Sequence, residues 1–215
     1  VDKQLNLLKK RFTSYSEYGA ATYENLLNKK MLQNAEEHTL NYNSSIFIEN
    51  EGCGKFKVTA LPLQAQVAPI NGTVIDDFNN DGNLDVLAIG NNYGNELSVG
   101  RYDASNGILL LGDGKVNFTP KSNSGFNATG DSKALVRYIN NAGEAGIIAS
   151  QNKGKAMRFK SKINGNVISP KPTQTRINYS FKGKTIVCEL YYGSSYLSQS
   201  SRKVIIPKEA KLIPQ

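Results

Sequence analysis

A chain of 215 residues that is 39% hydrophobic and 20% charged can bury a real core and is too apolar to be disordered. Its apolar runs are about five residues or fewer, far short of the roughly 20 needed to span a bilayer, so no transmembrane segment is expected. The net charge of +8 hides an asymmetry, because residues 1–120 carry 10 basic and 14 acidic side chains whereas 121–215 carry 16 basic and 4 acidic, which makes the halves −4 and +12.

A basic half suits contact with a polyanion, and it equally serves solubility. The lysines are spread over several predicted strands and no nucleic-acid motif accompanies them, so no nucleic-acid partner is expected. The sequence starts at Val1 without an export signal and enters an amphipathic stretch directly, which reads as a piece of a longer polypeptide.

Residues 1–40 have helical character. Leu5, Leu8 and Phe12 fall on one face, and after a Ser16 cap Tyr23, Leu27 and Met31 continue at fourfold spacing, which predicts two short helices joined near 13–16. After Thr39 the pattern changes to short β-branched and aromatic runs separated by Gly, Asn and Asp, the chemistry of strands and tight turns.

Within this region Ile46 to Phe56 is echoed by Ile108 to Phe118. Each reads as an apolar strand, a Gly-containing turn and a Phe-bearing return strand. Met157 and Phe159 alternate with Arg158, Lys160 and Lys162, which predicts a strand with one basic, solvated face. Pro170 and Pro172 bracket a linker, and beyond it Ile177, Tyr179 and Phe181 lead into a Lys182-Gly183-Lys184 turn, with Ile186, Cys188 and Leu190 on one face of the return strand. A hairpin is expected there. The expected division is a helical segment 1–40, a β region 41–168 and a C-terminal β segment 169–215.

The motif with the clearest chemistry is Asp77-Phe78-Asn79-Asn80-Asp81-Gly82-Asn83-Leu84-Asp85. Oxygen donors recur at Asp77, Asn79, Asp81 and Asp85, Asn83 offers a backbone carbonyl, and Gly82 permits a sharp turn. Calcium takes six to eight oxygens in flexible geometry, and a short loop of alternating donors can wrap it. The segment is not an EF-hand, because its twelfth position is Ala88 and its flanks are strand-like. The alternative is an Asn/Asp-rich β-turn without metal.

Asp77 to Gly90, followed by Asn91 and Asn92, resembles the calcium-loop repeat of FG-GAP/VCBS proteins. Tyr192 to Arg202, preceded by the Lys182-Gly183-Lys184 turn, resembles the signature of the ASPIC/UnbV domain that follows such repeats, although the glycine-rich ending of that family is replaced here by Val204-Ile205-Ile206-Pro207-Lys208. Together the resemblances cover about 70% of the chain. They imply a mainly β fold containing partial propeller blades and a C-terminal β-hairpin domain. A chain this short supplies only the last blade or two, since a propeller needs roughly four to eight. They also imply an extracellular or outer-membrane surface location, possession of calcium at Asp77, Asn79, Asp81, Asn83 and Asp85, and loops presented to a protein or glycan partner and to other domains of the same longer chain.

Candidates for catalysis are weak. The single histidine, His38, has no second His and no Gly-x-Ser-x-Gly elbow to work with. Asp76 and Asp77 are adjacent strand residues that point to opposite faces, unsuited to paired-carboxylate hydrolysis. Tyr191, Tyr192 and Tyr196 offer either an aromatic platform for a sugar or ordinary strand packing. Cys53 and Cys188 are too few for a metal cluster. The expected function is that of a non-catalytic binding or scaffold protein presenting loops near 91–101 and 122–132, the alternative being an accessory module of a larger carbohydrate-active or tailoring enzyme.

Overall fold

The computed structural model describes residues 10–27, 29–161 and 165–214. The chain forms two compact units, Val1–Asn43 and Ser44–Gln215.

In the first unit α1 (Tyr15–Ala20) is capped by Ser14, whose side chain accepts the Glu17 N–H at 3.2 Å. The Glu17 carboxylate in turn accepts from the Thr13 N–H and hydroxyl at 3.2 and 3.1 Å. This reciprocal arrangement, a carboxylate three residues after a serine, places the cap at Ser14 and not at the expected Ser16. The helix predicted through Tyr23, Leu27 and Met31 is divided into α2 (Tyr23–Leu26) and α3 (Lys29–Leu32), with Leu27 extended between them. Neither α1 nor α2 buries a residue. Without a packed face, fourfold spacing alone does not sustain a long helix. The helical pattern at Leu5 and Leu8 lies outside the described residues.

Among its described residues the regular elements of the second unit are all β, apart from one 3₁₀ turn at Leu63–Ala65. Strands β1 (Ile46–Gly52) and β2 (Lys55–Ala60) make a separate hairpin. A four-stranded antiparallel meander follows, β3 (Ile70–Asp76), β4 (Asp85–Gly90), β5 (Ile108–Gly112) and β6 (Phe118–Pro120), in sequence order. A three-stranded meander is built from β7 (Ser132–Ile139), β8 (Ala145–Gln151) and β9 (Met157–Lys160). The two segments expected to echo one another are both hairpins, but β1–β2 stands alone whereas β5–β6 is the outer half of a larger sheet. Phe47 and Phe118 meet across them with ring centroids 5.4 Å apart.

The two meanders share one core. Val74, Leu87 and Ile89 pack with Leu135, Ile147 and Ala149, and Phe78, Phe126 and Phe159 close its margin. Backbones approach closely here, since a Cβ on Gly72 would sit 2.8 Å from the Leu135 nitrogen. In β9 Met157 and Phe159 are partly buried and Arg158 and Lys160 exposed, as the alternation predicts; Lys162 lies outside the described residues.

The expected hairpin is β11 (Arg176–Phe181) with β12 (Lys184–Glu189). Lys182 and Gly183 form its two-residue turn, both with positive φ, 48° and 76°, which matches the twist of paired strands. Beyond the expectation, β14 (Lys211–Ile213) adds to β11, and β10 (Asn166–Ile168) pairs with β13 (Val204–Ile206). Ile177, Tyr179, Phe181, Ile186, Leu190, Val204 and Ile206 form a second core. The architecture is therefore mainly β, made of several small antiparallel sheets with no closed barrel among the described residues.

Candidate metal centre

The loop between β3 and β4 folds on its own side chains. Asp77, buried, accepts the Asp81 N–H on Oδ1 at 3.1 Å and the Gly82 N–H on Oδ2 at 2.8 Å. Asn79 Oδ1 accepts the same Asp81 N–H at 2.9 Å, and its Nδ2 donates to Asp81 Oδ2 at 2.9 Å. Asp81 Oδ1 accepts from the Asn83 N–H at 2.7 Å. Turns of this kind, in which an Asp or Asn takes a nearby N–H, fix short loops. Asn80 and Gly82 have positive φ, 58° and 86°, so the chain can reverse twice within six residues.

Asp85 closes the loop from the other side. It is fully buried, and its two oxygens accept the N–H groups of Phe78 and Gly112, each at 2.9 Å. Burial raises its pKa despite these bonds, and the charges of Asp81 and Asp77 add to the rise. Asp81 moves the other way. Burial opposes its ionisation, but the hydrogen bonds from Asn79 and Asn83 and the charge of Lys184 outweigh that and lower its pKa.

Two lysines from the β11–β12 turn reach the same loop. Lys184 Nζ donates to Asn83 Oδ1 at 2.5 Å and Lys182 Nζ to the Asn80 carbonyl at 2.5 Å. Nearby, Arg137 of β7 pairs with Asp76 at 2.6 Å, with both side chains about four-fifths buried, and donates through Nη2 to the Lys203 carbonyl at 3.2 Å. Sequence reasoning identified the loop but not these cations, which come from positions 61 to 102 residues away.

All five expected residues thus belong to one loop. Among the described residues no group of three His, Cys, Asp and Glu side chains is arranged to hold a metal ion. The loop's donors are three carboxylates, the Asn79 amide oxygen and the Asn83 backbone carbonyl, all oxygen and therefore suited to a hard cation; the Asn83 side-chain oxygen is taken by Lys184. The N–H bonds to Asp77 and Asp85 use one lone pair on each oxygen and leave another. The donor chemistry fits calcium.

The other end of β4 holds a centre the sequence did not reveal. Asn91, 1% exposed with φ of 89°, donates through Nδ2 to the carbonyls of Ser105 and Gly130 at 2.7 and 2.8 Å and accepts the Ser105 N–H at 3.0 Å. Beside it Asp131, also buried, pairs with Lys133 at 2.6 Å and accepts from Asn152 Nδ2 at 3.1 Å. Burial alone would raise the Asp131 pKa; these bonds and the Lys133 charge bring it below the ordinary value. The only signal in the sequence was an Asn-Asn pair after a buried strand.

His38 is exposed beside Glu36 at 3.4 Å. Tyr191, Tyr192 and Tyr196 are all exposed, and Tyr192 carries the Arg202 guanidinium over its ring at 4.2 Å and bonded to its hydroxyl at 2.6 Å. The Gln199 side chain spans the turn before it, accepting from the Gly193 N–H and donating to the Tyr191 carbonyl at 3.1 Å. Cys53 and Cys188 are both free thiols; burial, aided by the Asp76 charge, pushes Cys188 up to about 11. No helix among the described residues is long and apolar enough to cross a membrane. No protein-family model, curated protein or solved structure matches the chain.

Proposed function

We propose that this chain is the calcium-stabilised, non-catalytic β part of a larger secreted or cell-surface binding protein of the FG-GAP/VCBS type, with an ASPIC/UnbV-like segment at 169–215. The observation that carries the reading is the wrapping of 77–85, in which Asp77, Asn79 and Asp81 each turn the backbone inward and leave side-chain oxygens on alternate residues. Asp77, Asn79, Asp81, Asn83 and Asp85 would hold the ion. Calcium supplies positive charge that neutralises carboxylates crowded in one loop, a structural role. The sequential meander β3–β6 supports the propeller part of the reading, because four-stranded meanders are the units of such folds.

Calcium titration of the metal-stripped chain by isothermal calorimetry tests it. Saturable binding of a single ion, lost in Asp77→Asn and Asp81→Asn, is expected. A chain that takes up no calcium at millimolar concentration contradicts the assignment.

A further inference from the structure

A cleft of about 760 Å³ opens beside the Asn91 centre, between the segments 104–109 and 120–127. Its chemistry is uneven in an informative way. Gln64, Asn106, Ser122, Asn123 and Asn127 line it and are exposed, and among the described residues none of their side chains has a hydrogen-bond partner. Ile108, Leu109, Pro120 and Phe126 supply apolar surface between them. Among the described residues Lys121 is the one charged residue that lines it, and no carboxylate does.

The walls are fixed from behind. Asn91 clamps Ser105 from both sides of its peptide, the Ala128 N–H donates to the Asn106 carbonyl at 2.7 Å, and the Lys121 N–H donates to the Leu109 carbonyl at 2.8 Å. Phe126 lies so close to Gly107 that a Cβ there would be 2.5 Å from its ring, and it packs at a tilt of 54° against Phe159 with centroids 4.6 Å apart. The cleft is a preformed depression and not a slack loop, and ligand sites are mostly preformed concavities with a few convergent polar groups.

From this lining we infer that the cleft binds a neutral oligosaccharide. Unpartnered amides and hydroxyls both donate and accept, as a ring of sugar hydroxyls requires, and the apolar strip between them meets the C–H faces of a pyranose. One lysine is too few for a polyanion, which needs several cations to displace its counterions. A hydrophobic ligand would leave the amides unsatisfied at a cost. The inference rests on the binding-protein reading above and names its ligand class.

The test uses the full chain, ¹⁵N-labelled, with backbone amide shifts followed during titration with neutral gluco-, manno-, galacto- and N-acetylglucosamine oligosaccharides, a heparin fragment and an extended neutral peptide. At least one neutral oligosaccharide is expected to shift the amides of Asn106, Ser122, Asn123 and Asn127 saturably. The double variant Asn106→Ala/Asn123→Gly, which removes two exposed amides and keeps a residue suited to the positive φ of 53° at 123, is expected to weaken that binding at least about tenfold with an unchanged melting temperature. Absence of these shifts with every neutral oligosaccharide, or their appearance with heparin or the peptide instead, overturns the proposal. Repeating the titration with chelator separates the two readings, since failure of calcium binding appears at the amides of 77–85 and leaves the cleft result standing.

Discussion

Asp85 and Asn91 stand at opposite ends of β4 and both are buried, yet the chain secures them by different means. Around Asp85 most bonds join residues two to seven apart, as in Asp81 to Asn79, Gly82 to Asp77 and Phe78 to Asp85. Around Asn91 the bonds that involve side chains join residues 14, 20, 39 and 42 apart, to Ser105, Asn71, Gly130 and Lys133. The first end is a self-folding loop with charge to neutralise. The second is a knot that ties separate segments together through the Asn91 side chain and carbonyl, the carbonyl accepting from the Lys133 ammonium at 3.3 Å. The bonds of the first end lie mostly within one short stretch of chain, whereas those of the second hold segments that are distant in sequence.

Substituting Asn91 therefore has the largest expected effect. Asn91→Ala removes the partner of the partly buried Ser105 N–H and carbonyl and one of the two donors to the Gly130 carbonyl, which keeps the Ser132 N–H at 2.9 Å, and it places an alanine at a φ of 89°. It is expected to cost about 3 kcal/mol or more, because each buried group left unsatisfied costs on the order of 1–3 kcal/mol. Urea unfolding followed by circular dichroism measures it, and a loss no greater than that of a surface substitution would break the contrast between the two ends.

Next is Arg137→Met, which removes the partner of Asp76 and the tie to the Lys203 carbonyl. A carboxylate about four-fifths buried and left without its cation costs about 2 kcal/mol or more, and the same unfolding experiment reads it. If the second core detaches first, amides of β11 and β12 exchange hydrogen faster than those of β7 and β8 in this variant.

Asp131→Asn sharpens the comparison through pH. Its folded pKa lies below the ordinary 3.8, so the carboxylate contributes stability above that value and loses it as pH falls through the lower, folded value. The variant is expected to be about 1–2 kcal/mol less stable at pH 7, with the gap to the parent narrowing below about pH 4. A gap that stays constant to pH 3 would remove the Lys133 and Asn152 bonds as its cause.

The smallest effect belongs to Lys184→Met. An exposed ammonium on an amide oxygen is worth under about 1 kcal/mol, and the loss should shrink further in high salt.

How much of this could be read from the residues follows the same division. The loop at 77–85 was legible because its bonds are local, so spacing encodes them. The β11–β12 hairpin was legible for the same reason, with alternation at Ile177, Tyr179 and Phe181 and a Lys-Gly turn. Asn91 was not, because an asparagine that will clamp a distant peptide looks like any asparagine in a turn. The additions of β14 to β11 and of β13 to β10 were hidden too, since three-residue strands carry almost no periodicity. In the N-terminal unit the periodic pattern overstated the helices, because spacing describes a face and only packing rewards it.

The central claim is that the loop at 77–85 is stabilised by calcium, and the melting temperature in chelator and then in millimolar calcium, for the parent chain and Asp81→Ala, tests it most directly. A ligand bound only to the native state at about 100 times its Kd adds about 2.7 kcal/mol, which for a chain of this size corresponds to roughly 5–10 °C. The account predicts a rise of that order in the parent and none in Asp81→Ala. An unchanged melting temperature in the parent would contradict it and leave the loop as a turn held by its own hydrogen bonds and the two lysines.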